Sequence, residues 1–142
     1  MSFDTLGDIN WLAAIVAGIV YYAIGAAWYS PALFGKPWMR SIGWDEEAGP
    51  PDASAAEYAL PLVGSVVAGI ATAMLAVATA TNSFGEGVVL GVVLGVGIAT
   101  VLAFVTAVFD PMKVSKMVWF GVTAGYHALG LLIASVIVSV WN

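Results

Sequence analysis

Four stretches of this chain, residues 11–29, 58–80, 87–109 and 117–141, contain no Asp, Glu, Lys or Arg. At about 1.5 Å of rise per helical residue, each is long enough to cross the roughly 30 Å of hydrocarbon in a bilayer. Alternating polarity over segments of about ten residues, the mark of a membrane barrel strand, is absent. With 61% hydrophobic and 9% charged residues, the chain lies far from the roughly one-quarter charged content of an ordinary soluble domain. The expected fold is therefore all-α, an integral membrane four-helix bundle forming a single domain over residues 1–142. Punctuation agrees with the count: Asn10 can cap the first helix, Pro31 and Pro111 stop the first and third, and "TNSFGEG" turns the chain between the second and third.

All four basic residues, Lys36, Arg40, Lys113 and Lys116, fall in the two loops that four crossings put on one side. The positive-inside rule then predicts both termini outside the cytoplasm. Tryptophans partition the same way, with Trp11 and Trp141 at the outer boundary and Trp28, Trp38, Trp44 and Trp119 at the inner one. The first run follows Asp4 and Asp8 and exceeds the length of a signal-peptide core, so it is expected to stay in the mature protein. Four scattered cations make no nucleic-acid surface, which leaves the lipid bilayer as the expected environment. Zero cysteines and one histidine, His127, argue against disulfides, thiolate chemistry and paired-imidazole metal sites, and no cofactor is expected.

After the first crossing comes "WYSPALFGKPW". Pro31 disfavours helical geometry at Ser30 and cannot donate to the preceding ladder, so the crossing should end near Tyr29. Ser30 is then a suitable N-cap, and Pro31 a suitable first residue, for a short interfacial segment over residues 31–44. Leu33, Phe34, Trp38 and Trp44 beside Lys36 and Arg40 predict aromatic groups turned to the bilayer and cations to headgroup phosphate. An alternative, a substrate gate built on Tyr29 and Ser30, is the weaker expectation. The following "DEEAGPPDAS" is expected to be a polar flexible connection.

"INW" at the start of the first helix, "GAAWYSPALFGKPWM" at its end, with Trp28, Tyr29, Ser30, Pro31, Phe34, Gly35, Lys36 and Trp38, and "GYHALGLLIA" near the C-terminus resemble a family of small four-span bacterial membrane proteins known only as a domain of unknown function. The resemblance covers most of the chain. It implies the fold and a bacterial cytoplasmic (inner) membrane, and supplies no activity, substrate or catalytic residue.

Lipid tails are as apolar as leucine, so crossings associate through close backbone approach along small residues. Every fourth position of the third run reads Gly87, Gly91, Gly95, Ala99, Ala103, Ala107; the second offers Gly64, Ala68, Thr72, Ala76, Ala80. On the fourth run Gly121 and Gly125 lie nearly opposite Thr123, Gly130 and Ala134, which predicts a helix packed on two sides, central in the monomer or shared in a homo-oligomer or larger membrane complex.

His127 is the one ionisable group besides tyrosines near the middle of a crossing. An ionisable group there is expensive enough to make function the first hypothesis. Its face carries Thr123, and Tyr126 precedes it. The competing expectation is a neutral histidine bonded to a hydroxyl of another helix, such as Tyr21, Tyr22, Thr72 or Thr100. Asp110 is expected to cap its turn or pair with Lys113, Lys116 or Arg40, with a coupling-ion role as the rarer alternative. No nucleophile–base pair or phosphate loop is present, which argues against an enzyme. A non-enzymatic assembly or support module of membrane complexes is the leading expectation, and an oligomeric small-solute or proton channel using His127 the alternative. The topology is testable in this cysteine-free chain: Ser83→Cys should react with an impermeant thiol reagent from outside and Gly49→Cys should not, and the reverse labelling overturns the orientation.

Overall fold

The computed structural model describes residues 2–45 and 54–141. A 3-10 turn at Phe3–Gly7 precedes α1 (Trp11–Trp28), the short α2 (Gly35–Ser41) and α3 (Ala55–Ala78). α4 (Phe84–Phe109) and α5 (Lys116–Val140) complete the chain, and α1, α3, α4 and α5 are each long and apolar enough to cross a membrane. Most of the expected flexible stretch at 45–54 lies outside the described residues.

α3 and α4 each begin three residues earlier than their charge-free runs. Ser54 accepts from the Glu57 amide while the Glu57 carboxylate accepts from the Ser54 amide at 2.6 Å, a reciprocal capping box. Ser83 likewise accepts from the Glu86 amide, and the Glu86 carboxylate accepts from the Ser83 hydroxyl at 2.8 Å and from the Asn82 amide at 3.0 Å. Each acid therefore belongs to the first helical turn, where unpaired N–H groups welcome negative charge.

α5 is the hub. It packs on α1, α2, α3 and α4, whereas among the described residues α4 packs extensively on α5 alone. Accordingly 39% of the α5 span is buried inside the protein against 17% of α4. The α4–α5 contact is backbone on backbone. A Cβ built on Gly87 would stand 2.9 Å from Val136 Cα, one on Gly91 2.6 Å from Leu132 Cα, and one on Gly95 2.9 Å from Ala128 Cα. The contact moves four residues up one helix for every four down the other.

Such a strict four-residue stripe should not survive on an ideal helix. Four residues overshoot a full turn by about 40°, so five steps from Gly87 to Ala107 would carry the stripe about 200° around the axis. The chain corrects this with eight residues of π-helix, Val93–Thr100, whose wider turns hold more residues each. Thr100 Oγ1 donates to Gly95 O at 2.9 Å across five residues and supports the wide turn. Ala103 and Ala107 consequently stay buried, with Ala99 half-buried.

On α3, which is regular α-helix throughout, the expected four-residue series fails for the same reason. Gly64 faces open space and Ala80 is exposed. The buried row is Ser65, Gly69, Thr72, Ala76, stepping four, three, four, which keeps to one face of a 3.6-residue helix. It meets Ala14 and Gly18 of α1 so closely that a Cβ on Gly18 would lie 2.5 Å from Val66 Cα and one on Gly69 would collide with Ala14 O. Gly121 is a further correction: it is exposed with nothing near it, and of the expected pair only Gly125 packs, against the Trp28 ring.

Three polar contacts bolt α1 antiparallel to α5. Asn10 caps α1 through the Ala13 amide and donates to Trp141 O at 2.7 Å; Tyr21 bonds His127 at mid-height; Trp28 Nε1 donates to Val122 O at 2.9 Å. Gly91→Leu combined with Gly95→Leu should lower stability in detergent by about 2–4 kcal/mol through steric separation of α4, whereas Gly97→Leu, where a side chain meets open space, should change it by less than about 0.5 kcal/mol. Equal thermal midpoints for the two variants would refute the stripe.

Candidate functional site

The opening motif is a corner. Residues 31–34 form turns, and α2 begins at Gly35, capped by Phe34 without a side-chain bond, so Pro31 does not start the helix and Ser30 is not its N-cap. Instead Ser30 O accepts from the Leu33 and Gly35 amides at 3.1 and 3.0 Å, and the Phe34 amide returns to Trp28 O at 2.9 Å. This folding presses Gly35 onto Tyr29 O and Ser30 O, where any Cβ would clash with backbone. Phe34 stacks on Trp28 with centroids 4.4 Å apart, and Trp38 meets Tyr29 edge-on at 5.4 Å. The Trp28 N–H goes to α5 and is not left for a headgroup. Lys36 and Arg40 are exposed, while Met39 is buried. α2 ends in a Schellman turn, with Gly43 at φ 74° and the Trp44 amide bonded to Met39 O at 3.0 Å. The Ser115 amide donates to Ser41 O at 3.1 Å, which joins the two loops that carry all four cations.

Asp110 follows the last residue of α4 and does local work. Its carboxylate accepts from the Met112 amide at 2.9 Å and pairs with the Lys113 ammonium. The Lys113 bond, then the Met112 amide, hold its pKa below the usual aspartate range. Lys113 also covers the Trp119 ring at 4.0 Å, and Lys116 Nζ donates to Val108 O at 2.6 Å in the last turn of α4. Both cations thus answer the negative end of that helix.

At mid-height the absence of side chains on α1 and α5 admits aromatic rings. Gly130 receives the Tyr21 ring, and Gly25 receives that of Tyr126, whose atoms lie 3.0 Å from where a Cβ would stand. Tyr126 is 5.1 Å from Tyr21, 5.5 Å from Tyr29 and 4.7 Å from His127 between ring centroids. Tyr21, 5% exposed, bonds His127 Nδ1 through its hydroxyl. A phenol is a far stronger acid than a neutral imidazole N–H, so we assign the O–H as donor and the ring proton to Nε2. Of the other hydroxyls considered as partners, Thr72 donates to Ala68 O at 2.7 Å and Thr100 to Gly95 O.

The same imidazole lines a cleft of about 380 Å³ between α4 and α5, with Ala99, Leu102, Ala103, Thr106, Trp119 and Thr123. Tyr21 and α1 contribute nothing to that wall, so Nδ1 is committed elsewhere and Nε2 is the remaining polar atom of the ring. Thr123 Oγ1 is fully buried and makes no hydrogen bond; the Tyr29 hydroxyl lies close by, outside bonding geometry. Sequence spacing had joined His127 and Thr123, but not Thr106 or Trp119, which reach the cleft from another helix and from one turn earlier.

Four apolar crossings, three of them packed on a central fourth, with a histidine and tyrosines at their middle, define a multi-pass helical membrane protein. The chain matches, over residues 12–139, the family described as protein of unknown function DUF1761, and belongs to it. No curated protein and no solved structure matches the chain.

Tyr21→Phe should cost about 1 kcal/mol, since it keeps the ring and removes one partly buried hydrogen bond. Combined with His127→Ala in a double-mutant cycle in detergent, it should show a coupling of about 1 kcal/mol. Additive losses would mean that the bond contributes nothing.

Proposed function

We propose that this protein is a non-enzymatic assembly or support module of membrane complexes, a rigid helical body in the bacterial inner membrane with both termini outside the cytoplasm. The observation that carries this reading is how the polar groups inside the crossings are used. His127 is tied to Tyr21, and Thr72, Thr79, Thr100, Thr106 and Ser139 bond carbonyls of their own helices. The Tyr21–His127 bond supports register between α1 and α5, and the others shape their own helices. α4 supports the reading from outside: beyond its stripe it exposes Val89, Val92, Val96, Leu102 and Phe104, an apolar face suited to lipid or to a second transmembrane body. Self-association into a homo-oligomer, or a place in a larger complex, would use that face.

A second reading, an oligomeric channel or transporter for protons or small solutes, is favoured by the cleft where His127, Thr106 and Thr123 converge. One experiment separates the two. In the assembly reading His127→Ala lowers the thermal midpoint, and neither it nor the native protein conducts in proteoliposomes. A native flux abolished by a folded His127→Ala would overturn assembly in favour of transport.

A further inference from the structure

Four of the five tyrosines of the chain, Tyr22, Tyr29, Tyr58 and Tyr126, line one cavity of about 270 Å³ together with the carboxylate-bearing Glu57. They come from three helices. Tyr22 and Tyr29 stand two helical turns apart on α1, Tyr126 enters from α5, and Glu57 and Tyr58 occupy the first turn of α3. Gly25 and Ala26 form the wall between the two α1 tyrosines, and Gly25 is what lets the Tyr126 ring lie against α1. No hydrogen bond of the Tyr21–His127 pair is used here, and the cavity shares no residue with the His127 cleft.

Aromatic faces carry negative charge and attract cations most strongly where water is excluded. Four phenol rings lining a small volume, with Glu57, whose carboxylate also accepts from the Ser54 amide, on the same wall, suit an alkylated ammonium: a positive centre too weakly hydrated to prefer water and too large for an oxygen cage. A neutral apolar ligand would gain nothing from Glu57, and an anion would be repelled. We propose that this cavity binds an organic ammonium group, carried either by a free small cation or by an amine lipid headgroup at the membrane surface, where the first turn of α3 lies.

The test is binding of choline to the full-length protein in detergent by ligand-observed NMR, with 3,3-dimethyl-1-butanol as the uncharged analogue of the same shape. Choline should bind at least about fivefold more tightly than the alcohol. Tyr22→Leu should weaken it by at least about fivefold and Tyr22→Phe should restore it, because a phenyl ring keeps the cation–π contact. Glu57→Gln should weaken it about threefold while leaving the thermal midpoint unchanged, since glutamine also completes a capping box. Reconstitution with phosphatidylcholine instead of phosphatidylglycerol distinguishes the sources: competition assigns a headgroup, and undiminished choline binding assigns a free cation. Equal affinity for the alcohol, no choline binding, or an affinity untouched by both Tyr22→Leu and Glu57→Gln overturns the proposal. None of these outcomes depends on self-association or on flux.

Discussion

Hydrocarbon offers its helices no hydrophobic reason to associate, so this bundle is held by how closely backbones can approach. Two of the three largest interfaces bear this out, and at the third, between α1 and α5, glycines make room for aromatic rings. α1 meets α3 where Gly18 and Gly69 remove both Cβ atoms, and α4 meets α5 where three successive glycines face Val136, Leu132 and Ala128. The buried core is accordingly alanine-rich, with Ala14 and Ala17 fully enclosed, while many valines and leucines point outward and Val122 and Val138 are the buried valines. In water the same chain would be inside out.

Because contact depends on small residues, their spacing dictates helix geometry. Where the row steps four, three, four, as on α3, an ordinary α-helix keeps it on one face. A row of unbroken fours needs a wider turn, and α4 supplies the π segment over Val93–Thr100. The unusual backbone is thus a consequence of the glycine series. That series was legible in the sequence; its geometric cost was not, since a list of positions says nothing about which helical form will align them. The α3 row was missed because alanine and glycine are so frequent there that several registers look equally plausible. Only the α1 partner, Ala14 and Gly18, selects among them.

Number, order and approximate extent of the crossings could be read from charge alone, because a charge in hydrocarbon is so costly. Charge alone sets Glu57 and Glu86 outside the crossings, although each lies in the first turn of its helix, where a carboxylate stabilises the helix it begins. Trp28 was assigned to the membrane surface by its position, yet its N–H reaches Val122 O on α5. Convergence of side chains from different helices was the part hidden most fully. Nothing in the spacing of Thr106, Trp119 and His127, or of Tyr22, Tyr58 and Tyr126, reveals that each set shares a cavity.

The conspicuous motif and the conspicuous histidine turn out to belong to one mechanical arrangement. Gly35 tightens the corner after α1, which positions Trp28 against Gly125 and Val122; Gly130 and Gly25 accept the Tyr21 and Tyr126 rings between the same two helices. With α1 and α5 held at both ends, at Asn10–Trp141 and Trp28–Val122, the Tyr21 hydroxyl has little freedom to leave His127 Nδ1. With the phenol as donor the imidazole carries its proton on Nε2, and the same ring lines the cleft between α4 and α5. One nitrogen of His127 is bonded across to α1 while the ring also borders a cleft on α4, so the structural and functional interpretations of His127 are not mutually exclusive.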